Sequence, residues 1–255
     1  MESSPTDLPV DYFTARDGVR LAYRQMGEGR PLLLIHGYFS NAWTNWIRYG
    51  HAAQIAGRGF RVIMPDLRGH GDSDKPHDPA AYPRDVLADD GLALIDHLGL
   101  DDYDLGGYSL GGRTTVRMLA RGARPGRAVL AGKGLEGIVH TEGRGGYFHH
   151  VLTNLGSFER GTSEWMTEAF LKTTKGDPEA LLLILNTFAD TSLEELAGIR
   201  MPVLVTTGDE DDDNGSGEEL AEALPNGEFV SIPGNHMNCV VKPELGIAIA
   251  DFLAR

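Results

Sequence analysis

The chain is 255 residues long and 41% hydrophobic, enough for one sizeable core and too short for two independent domains of ordinary size. Its 23 basic and 37 acidic residues leave a formal net charge of −14, which repels nucleic-acid phosphates and anionic lipid, so the expected partner is a small, neutral or weakly charged molecule. The single cysteine, Cys239, excludes an internal disulfide and stands in no metal-ligand spacing, and it reads as a small buried filler.

Residues 1–9 are polar and acidic, without the basic start or apolar run of a signal peptide or spanning helix, so a cytoplasmic location without membrane association is expected. Val10 to Arg16 and Val19 to Met26 alternate apolar and polar residues around Asp17-Gly18, which predicts an antiparallel hairpin. Apolar runs bounded by glycine and proline then alternate with helical periodicity, the pattern of parallel strands covered on both faces by crossover helices. Strands are predicted at Leu32 to Ile35, Val62 to Met64, Tyr103 to Leu105, Ala128 to Leu130, Val203 to Val205 and Phe229 to Ile232. Helices are predicted at Ala42 to Ala56, Pro83 to Leu98, Leu110 to Arg121, Glu218 to Leu224 and Pro243 to Leu253. Between Gly132 and Arg200 no strand is evident, while Thr162 to Thr173 and Pro178 to Phe188 read as helices. An α/β core over 1–132 and 200–255, with a helical cap inserted at 133–199, is therefore expected, the cap lying over the carboxyl edge of the sheet where such folds bind ligands.

The strand near Leu105 runs into Gly106-Gly107-Tyr108-Ser109-Leu110-Gly111-Gly112 and then a helix. With 33 glycines and ten serines in the chain, G-x-S-x-G arises by accident in about one such composition in six, so its weight comes from the strand-turn-helix context. There the flanking glycines permit a strained turn that lifts the hydroxyl of Ser109 above the sheet edge at the positive end of the helix, the arrangement of a nucleophile.

A serine nucleophile needs an imidazole to take its proton and a carboxylate to hold that imidazole, in the chain order serine, acid, histidine. Of nine histidines only His236 follows the last predicted strand, in Ile232-Pro233-Gly234-Asn235-His236, and it is the candidate base. The acid is expected in the loop after Val203 to Val205, where Asp209, Glu210, Asp211, Asp212 and Asp213 stand in a row. Asp211 is chosen because it leaves the strand room to turn; Asp213 and Asp209 stay open as alternatives. A calcium-loop reading of the run fails, since Gly215 in the sixth position puts Ala221 where a bidentate glutamate is needed. Oxyanion donors are expected from the backbone N–H of Leu110 and, in the loop His36-Gly37-Tyr38, from that of Tyr38. His36 reads as a structural loop residue.

With these residues in place, the chain resembles the α/β-hydrolase superfamily, of the kind that includes small bacterial serine esterases, lactonases, cofactor-free haloperoxidase-type enzymes and carbon–carbon bond hydrolases. The resemblance runs through Leu34-Ile35-His36-Gly37, Asp66 to Asp74, Gly107 to Gly111 and Gly234-Asn235-His236. It implies a mostly parallel sheet of about eight strands with helices on both faces and a small helical cap. It also implies that Asp66 to Asp74, with His70 and Asp72, is a structural loop, and that no cofactor or metal is needed. Asn235 beside the histidine and the dense acidic run depart from the family's usual pattern. Serine rather than a carboxylate at position 109 argues against epoxide-hydrolase and haloalkane-dehalogenase chemistry. The expected activity is hydrolysis of a carboxylic ester of a small hydrophobic substrate through an acyl-enzyme, with lactonase, perhydrolase or carbon–carbon hydrolase chemistry, and a non-catalytic receptor, as alternatives. Trp43, Trp46, Tyr108, Tyr147 and Trp165 are expected to line the substrate pocket, within an aromatic supply that also holds Phe148, Phe158 and Phe170.

Overall fold

The computed structural model describes residues 8–141 and 145–255; the polar start at 1–7 lies outside them. Eight strands form one sheet: β1 (Asp11–Thr14), β2 (Arg20–Met26), β3 (Arg30–Ile35), β4 (Phe60–Pro65), β5 (Asp104–Tyr108), β6 (Ala128–Ala131), β7 (Val203–Gly208) and β8 (Gly227–Ile232). Their spatial order is β1-β2-β4-β3-β5-β6-β7-β8. The hairpin strands β1 and β2 run antiparallel, and all pairings from β4 to β8 are parallel. From β3 the chain steps to β4 on one side and then returns to β5 on the other. That reversal opens a crevice at the carboxyl ends of β3 and β5, where an open α/β sheet binds ligands.

Period-two alternation supplies a core on each face of the sheet. Leu33 and Ile35 face one way, into a core shared with α2 (Val86–Leu98), α3 (Leu110–Ala120) and α9 (Gly217–Glu222). Leu32 and Leu34 face the other, into a core shared with α1 (His51–Ala56) and α10 (Pro243–Leu253). The helix expected over Ala42 to Ala56 is broken: Trp43–Ile47 form a π-type turn, and Gly50, at φ +83°, resets the chain before α1.

Between β6 and β7 the described residues form helices only: α4 (Glu136–Val139), α5 (Gly146–Thr153), α6 (Ser163–Thr173), α7 (Pro178–Leu185) and α8 (Leu193–Ala197). The Asp177 side chain caps α7, with Pro178 at its first position, and Ser192 with Glu195 forms a capping box on α8. This inserted segment meets the loop after β3 in a third apolar cluster, where Phe39 packs with Leu152, Leu171 and Leu181. No helix among the described residues is long and apolar enough to cross a membrane.

Helix α3 lies very close to β3. A Cβ on Gly111 would come 2.0 Å from the carbonyl oxygen of Ile35, so this crossing admits glycine alone. Gly111→Val is expected to destabilise the fold by about 2–4 kcal/mol in urea unfolding, whereas Gly146→Ala, where no atom lies within 4 Å of the added carbon, stays within roughly 0.5 kcal/mol.

Candidate active site

Ser109 sits between the end of β5 and the first residue of α3 with φ +53° and ψ −109°, a conformation that L-residues avoid. The turn is tight enough that a Cβ on Gly107 would lie 2.3 Å from the carbonyl carbon of Gly111. The Ser109 N–H donates to the carbonyl of Ala131 at 2.8 Å, tying the turn to the end of β6. As the first residue of α3, Leu110 has no intrahelical acceptor for its N–H, which stays available at the positive end of the helix.

The loops after β7 and β8 converge on the serine. His236 places Nε2 2.9 Å from Ser109 Oγ, and its Nδ1 lies 2.8 Å from Asp211 Oδ2. With Nδ1 protonated, His236 donates to Asp211 and accepts the serine proton at Nε2, a tautomer assigned from this network. The Asp211 side chain is 1% exposed. Its placement follows from a turn in which the Asp211 N–H donates to the Gly208 carbonyl at 3.1 Å. Asp209 instead accepts the Gly234 N–H at 2.6 Å, and the Glu210 N–H donates to the Gly234 carbonyl at 3.0 Å, so these two stitch the acid loop to the histidine loop. Asp213 is exposed, and its carboxylate lies within 4.8 Å of the ligand atoms of Asp211 and His236. Those three are the described residues with the donors and proximity to hold a divalent ion. Asp211 and His236, however, already spend the relevant atoms on each other.

The loop after β3 forms the opposite wall. Gly37 donates to Asn45 Oδ1 at 2.9 Å, and Ser40 N–H closes a turn on the Gly37 carbonyl at 3.2 Å, with Phe39 at φ +61°. A Cβ on Gly37 would stand 3.5 Å from Ser109 Cβ, so the Tyr38 backbone follows directly beside the serine. The Tyr38 hydroxyl donates to the Leu181 carbonyl at 2.6 Å, joining this wall to the inserted helices.

Behind the wall His36 is fully buried, with Nδ1 2.8 Å from the Gly37 carbonyl and Nε2 accepting the Leu67 N–H at 3.0 Å. Burial holds its pKa down at about 4. His70, its ring 5.0 Å from that of His36, is held down to about 3, first by burial and then by His36. The Asp66 to Asp74 loop is equally occupied: Asp66 accepts the N–H groups of Ala42 and Asp72, and Asp72 pairs with Arg24.

A cavity of about 790 Å³ opens over Ser109 and His236. Tyr108 and Tyr147 are among its lining residues. Tyr108 is 4% exposed, however, and its hydroxyl donates to the His236 carbonyl at 2.6 Å with Cys239 Sγ at 3.1 Å, so it anchors the histidine loop. Trp43, Trp46 and Trp165 are not among the lining residues, which corrects the expectation for all three. Trp43 and Trp46 turn into the core beneath the sheet, and Trp46 is fully buried. On α6 the cavity face is Ser163, Thr167 and Phe170, spaced four and three residues apart, and Trp165 projects from another face beside Arg160. Phe148 and Phe170 do line the cavity, whereas Phe158 packs on His150 outside it. Sequence reasoning missed Phe188, and it missed two buried cations on the wall, Arg113 and Lys133. Only Arg113 carried a readable signal, lying four residues after the serine on the same helical face.

A family model described as alpha/beta hydrolase fold matches residues 30–129. A non-heme chloroperoxidase of Kitasatospora aureofaciens is 28% identical over 90% of this chain and 93% of its own length. Among solved structures, a thermophilic esterase from Thermogutta terrifontis, malate bound, superposes with TM-score 0.75 at 26% identity, covering 96% of this chain and 98% of that one. The enol-lactonase from Burkholderia xenovorans LB400 superposes with TM-score 0.72 at 25% identity, covering 96% and 100%.

The buried histidines give a pH dependence of stability. Both are neutral in the folded protein down to about pH 4 and 3, yet bind protons below about 6.5 once unfolded, so the unfolded state takes up more protons on acidification and stability falls with pH. At pH 5 this amounts to roughly 2 kcal/mol for each. Asp90, raised to about 6 by burial against the pull of Arg68, works in the opposite sense and offsets part of it. Urea unfolding is expected to show a net loss of stability between pH 7 and pH 5; a flat or rising profile would contradict the assignment.

Proposed function

Starting from a chain that belongs to the α/β-hydrolase superfamily, we propose that it is a serine hydrolase, cleaving carboxylic esters of small substrates through an acyl-enzyme. The observation that carries this reading is the unbroken relay from Ser109 Oγ to His236 Nε2 and from His236 Nδ1 to Asp211.

In this mechanism the Ser109 oxygen attacks the ester carbonyl while His236 takes its proton at Nε2, and Asp211 stabilises the imidazolium through Nδ1–H. The carbonyl oxygen becomes an oxyanion held by the N–H groups of Leu110 and Tyr38. Collapse breaks the bond to the alkoxide, which leaves with the proton from His236, and water, activated by the same imidazole, then frees the acid from Ser109. Residues 133–199 act as a cap whose aromatic side chains exclude water from the cavity and pack against the body of the substrate.

The likeness to a chloroperoxidase over nearly its whole length favours one second reading: hydrogen peroxide in place of water would attack the acyl-enzyme and release a peracid. Ser109, His236 and Asp211 keep the same roles in it.

Ser109→Ala is expected to lower kcat on short-chain nitrophenyl esters by at least about 10³-fold, and a fluorophosphonate probe should label Ser109 and no other residue. Undiminished hydrolysis by the alanine variant would sink the reading. Asp211→Asn is expected to cost roughly 10³-fold or more in kcat and Asp213→Asn less than about tenfold; the reverse ranking would move the acid's role to Asp213.

A further inference from the structure

Glycine is the residue least able to fix its own backbone, so a glycine whose neighbouring N–H has to point at one spot must be held from outside. Gly37 stands in that position, because the N–H assigned to the oxyanion is that of Tyr38, in the peptide group that follows it. The Gly37 carbonyl accepts the Ser40 N–H at 3.2 Å and lies 2.8 Å from His36 Nδ1, which carries the proton since Nε2 accepts the Leu67 N–H at 3.0 Å. In a trans peptide the N–H points opposite to the carbonyl, so these two donors turn the Tyr38 N–H away from themselves, and it meets no acceptor among the described residues. The peptide group before Gly37 is pinned by its N–H, which donates to Asn45 Oδ1 at 2.9 Å.

Asn45 is firmly placed to make that contact. It is the middle residue of the π-type turn Trp43–Ile47, is 3% exposed and lines the cavity. Its neighbour Trp46 goes into the core beneath the sheet, while Asn45 meets Gly37. The turn is tied at its start: the Ala42 N–H donates to Asp66 Oδ1 and the Thr44 N–H to Asn41 Oδ1, each at 2.7 Å, and the Asn45 N–H donates to the Asn41 carbonyl at 3.0 Å. A backbone N–H can bond only the oxygen of an amide side chain, which settles the orientation of Asn45 and leaves Nδ2 buried without a partner among the described residues. A buried unpaired donor costs stability that an apolar side chain of the same size would save, so the amide is carried here for its oxygen.

We propose that Asn45 is a positioning residue for catalysis, holding Gly37 by its N–H so that the Tyr38 N–H stays aimed at the oxyanion formed when Ser109 attacks. This rests on the ester-hydrolase reading for the existence of that oxyanion. Without the Asn45 oxygen, Gly37 is free to turn about its N–Cα bond and the donor loses its aim. The loop as a whole keeps its place, because Phe39 stays packed with Leu152, Leu171 and Leu181 and the Tyr38 hydroxyl stays on the Leu181 carbonyl. A neutral carbonyl gains little from an aimed donor and an oxyanion gains much, so the loss falls on the transition state and spares substrate binding.

The test compares the wild-type protein with Asn45→Leu, which keeps the size of the side chain and removes the acceptor, and with the smaller Asn45→Ala. On 4-nitrophenyl butyrate both variants are expected to lower kcat by about 10- to 100-fold while KM changes less than about threefold. A trifluoromethyl ketone mimics the reacting state: the Ser109 oxygen adds to its carbonyl carbon, the serine proton passes to His236, and the ketone oxygen becomes an oxyanion. Its inhibition constant should rise in step with the loss of kcat/KM, while that of the matching unfluorinated ketone stays unchanged. Amide hydrogen exchange reads the contact without turnover, and the Gly37 N–H should be protected in the wild-type protein and less protected in the variants. Unchanged kcat in the variants, or a loss confined to KM with trifluoromethyl ketone affinity intact, overturns the inference. So does an unprotected Gly37 N–H in the wild-type protein, a measurement that decides even if neither variant folds. A wild-type protein that hydrolyses no ester and binds no trifluoromethyl ketone, with Gly37 still protected, would instead remove the ester-hydrolase reading and leave Asn45 as the residue that holds this loop.

Discussion

Everything around the site depends on one strained residue. Ser109 holds a positive φ because β5 must end and α3 begin within a single step, and the two glycines on either side leave no space for any other path. Helix α3 can then press against the last carbonyl of β3, which brings the loop after β3 to the same spot. The placements of Ser109, the helix N-terminus and the Gly37–Tyr38 wall are thus consequences of one backbone contact between Gly111 and Ile35. The local strain is sustained by two faces of buried aliphatic side chains, which over-determine the positions of β3 and β5.

The parallel strands were legible because buried strands are written as short apolar runs, and β3 to β8 lie where six such runs predicted them, while β1 and β2 lie where the alternation around Asp17-Gly18 placed a hairpin. Their ends were less legible. β5 continues past Leu105 to Tyr108 through Gly106 and Gly107, which carry no apolar signal although a Cβ on Gly106 would meet Val129 at 2.8 Å. β7 likewise runs on through Thr206 and Thr207, whose polarity hid their burial. The long helix expected from Ala42 was overruled by Gly50.

At the site, composition and order singled out the serine and histidine, because each stands in a context that few other residues of its type share. The acid was different: five adjacent carboxylates are chemically equivalent in a sequence, and only the turn closed by Asp211 on Gly208 separates the one facing His236 from those that stitch loops or meet solvent. The tryptophans show the converse limit. An aromatic residue announces burial but not direction, and Trp43 and Trp46 satisfied that tendency in the core beneath the sheet, away from the cavity. Lys133 gave no signal, since its place on the wall comes from a strand order that a linear pattern does not contain.

The Tyr38–Leu181 hydrogen bond has a consequence for how the two parts of the chain can be recombined. Tyr38 belongs to the loop beside the serine, and the oxygen it meets belongs to the backbone of α7. Grafting another helical hairpin onto this scaffold would therefore strand a partly buried hydroxyl unless the graft presented a carbonyl at the same point. The inserted helices are not an interchangeable module: they are keyed to the scaffold at the residue whose backbone borders Ser109.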